Sequence, residues 1–154
     1  MLEPREFWQR TDEMDTGVLL IGFLESWKRV ADEVGIEGVD IAENLFASLC
    51  RLACRTADEQ SRLSMTVFAA YWSARGKERQ AVEVLNRWLP MKLSSRKLSL
   101  DIVGSWIVLE RKAGETAHDL FLRAEAELEA RVQALPPKDR HRPFYGGWES
   151  LTAG

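Results

Sequence analysis

Gly17-Val18-Leu19-Leu20-Ile21-Gly22-Phe23-Leu24 is the longest apolar run in the chain, and the fold turns on how it is read. The run is far shorter than the roughly 20 residues a membrane-spanning helix needs. In its surroundings it falls within a 3.6-residue period. Leu20, Phe23, Leu24, Trp27, Val30, Ala31 and Val34 mark one face of a helix expected from about Glu13 to Val34. Gly35-Ile36-Glu37-Gly38 then breaks it, because glycine tolerates the backbone angles of a helix C-terminus.

The same period extends in both directions. A second helix is expected to open at Asp40, with Glu43 at the capping-box position and an inner line of Ile41, Leu45, Leu49, Leu52 and Ala53. Thr56 and Glu59 read as another capping box, opening a third helix on Leu63, Val67, Ala70, Tyr71 and Ala74 that stops at Gly76. A fourth carries Ala81, Val84, Leu85, Trp88 and Leu89 up to Pro90. Met91 to Leu98 reads as a loop. A fifth helix is expected from about Ser99 to Lys112 on Ile102, Val103, Trp106, Ile107 and Leu109. The sixth follows Gly114 on Ala117, Leu120, Phe121, Ala124, Leu128, Val132 and Leu135. Together these predict an all-α fold, a bundle or short stack of about six helices arranged as antiparallel hairpins. Residues 13–135 form the helical domain, residues 1–12 an N-terminal arm and residues 136–154 a non-helical tail after Pro136-Pro137. Trp72, Gly76, Ala81 and Leu85 have the offsets of a tetratricopeptide helical hairpin, but the match ends at Pro90, and a generic αα-hairpin accounts for it.

The 154 residues suffice for one ordinary core, with 45% hydrophobic and 29% charged residues. The N-terminus lacks the basic-then-apolar order of a signal peptide, so a cytoplasmic location with no membrane contact is expected. Cys50 and Cys54 lie on one helical face and read as buried, reduced thiols. The net charge of −3 is uneven. Arg75, Lys77, Arg79, Arg87, Lys92, Arg96 and Lys97 make the stretch from 75 to 97 the most basic part of the chain, a candidate anion-binding surface.

Motifs for chemistry are sparse. Glu115 and His118 have Glu-x-x-His spacing, but a di-iron bundle needs it twice plus two further glutamates. The two cysteines and two histidines do not have the spacing of a compact zinc site. Phosphate loops and nucleophile elbows are absent. Accordingly no metal, cofactor or catalytic residue is assigned, and the reading leans away from an enzyme.

Trp8 with Phe7, and Trp148 with Phe144 and Tyr145, fall outside the periodic helices. Such aromatics are candidate protein-binding anchors, for a partner or for a second copy in a homodimer. The leading expectation is therefore a non-enzymatic helical interaction module, an adaptor, chaperone-like factor or regulatory subunit that takes a partner helix or peptide. Two alternatives stand beside it. One is a regulator that contacts nucleic acid through the Arg75–Lys97 surface. The other is an enzyme with a non-local site, marked by His118 or His141 buried beside a carboxylate.

Overall fold

The structure, a computed structural model, describes residues 1–94 and 98–141. It is a mixed α/β fold, and the all-α expectation is corrected. Helix α1 (Pro4–Glu13) leads into strand β1 (Val18–Leu24), then helix α2 (Trp27–Ala53). A hairpin of β2 (Glu59–Ser64) and β3 (Val67–Trp72) precedes helix α3 (Lys77–Trp88). Strands β4 (Met91–Ser94), β5 (Ser99–Ile102) and β6 (Gly104–Glu110) follow, and helix α4 (Ala117–Gln133) closes the core. The main sheet has the order β2-β3-β1-β6 with every neighbour antiparallel, and β4 and β5 form a separate two-stranded ribbon.

The apolar run at Gly17–Leu24 is thus a strand. All seven residues of β1 and all six of β3 are buried. Helices cover the sheet on both faces, so these strands need apolar side chains on both sides and lose the alternation that marks a half-exposed strand. Leu19, Ile21 and Phe23 point into one core with Phe7 and Trp8 of α1 and Leu120, Ala124 and Leu128 of α4. Leu20 and Leu24 point into the other, with Phe46 and Cys50 of α2 and Ala81 and Leu85 of α3.

The third expected helix is the β2–β3 hairpin, and the fifth is β5 and β6. Part of the expected loop at 91–98 is β4. The first and second expected helices merge into α2, which bends at Gly35 (φ 78°) instead of ending there. Helices α3 and α4 lie where the periodicity put them. In α4 the Thr116 side chain accepts from the Asp119 N–H, and the Asp119 carboxylate accepts from the Thr116 N–H. The arm at residues 1–12 is largely α1, and its Phe7 and Trp8 are 0% and 1% exposed. They are core residues of this chain rather than free anchors. Both cysteines are buried free thiols.

Arginine 111 ties α1 to the sheet. Its guanidinium is buried, donating from Nη1 to the Thr11 (2.5 Å) and Met14 carbonyls and to the Tyr71 hydroxyl (3.3 Å), and from Nε to the Glu115 carbonyl (2.9 Å). A buried cation requires partners of this kind. They join the end of α1, the last residues of β3 and the turn before α4.

α2 approaches the sheet where it has no side chains. The Phe46 ring lies over Gly22 of β1 and Gly104 of β6, and a Cβ on Gly104 would stand 2.5 Å from Phe46 Cε1. Gly104→Ala should therefore lower stability by about 1–3 kcal/mol through overpacking. In a Phe46→Leu background the same change should be less damaging, since the two sites share one space. Urea unfolding of the two single variants and the double variant checks this, and additive effects would contradict it.

Candidate functional site

Two ends of β1 carry the polar structure of this molecule. At its N-terminal end, the loop after α2 is bound to the end of β3. Trp72 Nε1 donates to Thr56 Oγ1 (3.1 Å), and the Ser73 N–H and hydroxyl both donate to Asp58 Oδ2 (2.7 and 3.0 Å). The Asp58 N–H donates to the Tyr71 carbonyl (2.9 Å). Arg55 in this loop is exposed, as are Arg75, Lys77 and Arg79, which enter and begin α3. Arg75 also lines an open groove with Glu110, Lys112 and Arg123.

The corner's charges are not equally available. Arg75 pairs with Glu110, both exposed, an arrangement worth little in water. Arg123 is held more firmly, donating from Nε to Glu115 Oε2 (2.7 Å) and from Nη2 to the Glu110 carbonyl (2.6 Å). Burial pushes the Glu115 carboxyl upward, but the Arg123 bond and the Lys112 N–H outweigh it, so its pKa is lowered. At the start of α3 the Gly76 N–H already donates to Glu78 Oε2 (2.6 Å). Arg55, Lys77 and Arg79 are exposed as well.

The C-terminal end of β1 is more enclosed. The Leu24 N–H donates to the Thr66 carbonyl, and Ser26 ties the chain to β5 through its bond to the Asp101 carbonyl (2.7 Å). Trp27 Nε1 donates to Glu43 Oε2 (3.2 Å), and Arg62 bonds Asn44 Oδ1 and the Met65 carbonyl. Arg62 Nε, Ser105 Oγ and His141 Nε2 are buried there without hydrogen-bond partners.

The structure divides the residues singled out from the sequence. Arg75, Lys77 and Arg79 share the basic corner. Arg87 and Lys92 are exposed at the other end of α3 and on β4. Eight helical residues separate Arg79 from Arg87, about 12 Å along the axis, so the basic window is not one patch. Arg96 and Lys97 lie outside the described residues, as do Phe144, Tyr145 and Trp148. Arg55 lies in the loop that Thr56 and Asp58 bond to the end of β3, a link that local sequence does not show. His118 is exposed, and its motif partner Glu115 is committed to Arg123. Among the described residues, no three His, Cys, Asp or Glu side chains are grouped to hold a metal ion. Nor is any helix among them long and apolar enough to cross a membrane.

No protein-family model matches the chain, and no curated protein matches it. Solved structures do. The diguanylate cyclase SiaD of Pseudomonas aeruginosa, in complex with its activator SiaC, is similar with a TM-score of 0.69 and 20% identity over 86% of this chain. The chain spans about 55% of SiaD's length. The GGDEF domain of DgcB from Caulobacter crescentus, in complex with c-di-GMP, has a TM-score of 0.68 and 21% identity over 86% of this chain and 84% of its own. The FimX GGDEF domain of Pseudomonas aeruginosa has a TM-score of 0.65 and 18% identity over 83% of each chain. At these identities the likeness is one of fold. It overturns the helical adaptor expectation, since the groove between helices that such a module would offer belongs to a bundle this chain does not form. Read as residues, the name of that domain is Gly-Gly-Asp-Glu-Phe, a string this sequence does not contain.

At the enclosed end, Glu43 is 6% exposed and its pKa is raised, chiefly by burial, while the Trp27 bond and the Arg62 charge act in the other direction. A carboxyl that prefers its proton when folded adds stability at low pH and loses it as the pH rises through its raised pKa. Glu43→Gln should therefore melt at a higher temperature than the native chain at pH 7, with the gap closing as the pH falls toward 4.5, the ordinary value for a glutamate. Thermal unfolding followed by circular dichroism checks this, and a lower melting temperature for the variant at pH 7 would contradict it.

Proposed function

We propose that this chain is a GGDEF-type domain of cyclic-di-GMP metabolism that binds the dinucleotide at its basic corner and does not synthesise it. The observation that carries the binding half is exposed Arg75, Lys77 and Arg79 at the entry and start of α3, with exposed Arg55 in the loop bonded to the end of β3, on a fold similar to a GGDEF domain seen in complex with c-di-GMP. A cyclic dinucleotide carries two phosphodiester charges, and guanidinium groups recognise phosphate oxygens with paired, charge-assisted hydrogen bonds. The weak Arg75–Glu110 pair can open to a phosphate at small loss.

The second half rests on the residues a cyclase would need. Joining two guanylate units is phosphoryl transfer, which depends on positioning and on metal ions that carboxylates hold against the phosphates. The sequence lacks the pentapeptide that names the neighbouring domains. Among the described residues, no three His, Cys, Asp or Glu side chains are grouped to hold a metal ion. SiaD is seen with a protein activator, which supports a protein partner for this chain as well.

Isothermal titration with c-di-GMP tests the reading. Binding should be measurable at low salt and weaken as salt rises, because exposed charges are screened. Arg75→Ala and Arg55→Ala should each reduce affinity about tenfold, the loss of one charge-assisted contact. Guanosine triphosphate with magnesium should yield no cyclic product. Failure of c-di-GMP to bind would overturn the first half, and formation of product the second.

A further inference from the structure

After α4 the chain turns at Pro136, makes a short 3-10 turn (Pro137–Asp139) and lies against α2. Two contacts fasten it at the enclosed end of β1. Asp139, 5% exposed, accepts from Arg29 Nη2 of α2 at 3.2 Å. The His141 ring stands 5.2 Å from Phe23 and 5.2 Å from Trp27, tilted 34° and 38° against them. One side chain of the terminal segment is thus held by an aromatic residue from each of the two elements that meet there.

The polar atoms of that ring are unevenly served. Nδ1 lies 3.3 Å from the Asp139 carbonyl, which suits an N–H at that position. Nε2 is buried with no hydrogen-bond partner among the described residues. A neutral imidazole tolerates this, whereas a second proton on Nε2 would place a donor and a charge where nothing receives them.

We propose that residues Pro137–His141 form a latch, shut while His141 is neutral and released when it is protonated, and that release uncovers the Phe23 and Trp27 rings. Among the described residues, Lys28 of α2 acts on His141 as a like charge, Asp139 meets the ring through its backbone carbonyl while its carboxylate pairs with Arg29, and β1 presents the Phe23 ring. Glu43 lies beyond Trp27, bonded to its indole. The two ring faces attract a cation. Burial opposes it more strongly, and Lys28 adds repulsion. The balance holds the imidazole below its ordinary 6.5. Because the docked form has the lower pKa, docking is at full strength above the ordinary value. It weakens as the pH falls through 6.5 and below.

The test uses the whole chain without nucleotide, so its outcome is independent of the binding proposal. The indole N–H resonance of Trp27, assigned with Trp27→Phe, is followed by NMR from about pH 8 to pH 5, the range in which histidine titrates. It should shift with a midpoint below 6.5 in the native chain. Glu43→Gln should keep that midpoint. His141→Phe in the Glu43→Gln background, which retains a ring and removes both titrations, should hold the resonance at its docked position throughout. In the same background His141→Gln serves if the phenylalanine variant does not fold, and should show no midpoint either. A native resonance that does not titrate would overturn the latch. So would one that titrates equally in the His141 variants, or one whose midpoint disappears with Glu43→Gln.

Discussion

Everything in this fold depends on β1 being covered on both faces. All seven of its residues are buried, and Leu19, Ile21 and Phe23 enter one core, with α1 and α4, while Leu20 and Leu24 enter the other, with α2 and α3. A strand so placed can carry no polar side chain, and Gly22 is used where α2 comes closest. The strand pairs with β3 on one side and β6 on the other, so the whole main sheet is registered on it. Burying a Leu, Ile or Phe side chain stabilises a fold by roughly 1.5–3 kcal/mol. Leu19, Leu20, Ile21, Phe23 and Leu24 are all at or below 3% exposed, and β3 beside them likewise feeds both cores.

That double burial also explains what could be read from the sequence and what could not. Leu63, Val67 and Tyr71 lie four residues apart, a spacing that keeps one face in a helix. It does the same in a strand, because four is also an even number. All three do point into one core, but from the β2–β3 hairpin. Thr56 resembled a helix cap because it carries a hydroxyl acceptor, and that acceptor serves Trp72 across the hairpin instead. Where one face is wet, the period is unambiguous. α4 buries Ala117, Leu120, Phe121, Ala124, Leu128 and Val132, the line its sequence shows, and a real capping box starts it.

The candidate site was legible to the same degree. The local cluster Arg75, Lys77 and Arg79 is visible as sequence. Arg55 is linked to the end of β3 only through the bonds of Thr56 and Asp58, and Arg87 leaves the cluster only because a helix carries it away. His118 or His141 buried beside a carboxylate would mark an enzymatic site, and His118 is exposed. His141 is instead a ring packed between two aromatics, with Arg29 and Asp139 paired next to it.

The two polar ends of β1 are therefore different in kind, and seven strand residues, roughly 20 Å, separate them. One is open and carries exposed arginine and lysine side chains, and against the other lies the segment from Pro137 to His141. The most direct measurement is an NMR titration of the uniformly labelled chain with c-di-GMP. The proposal requires the backbone amides of residues 55–58 and 73–79 to shift together and saturably, with those around Phe23 and Trp27 unmoved. Shifts centred on Phe23 and Trp27, or none at all, would contradict it.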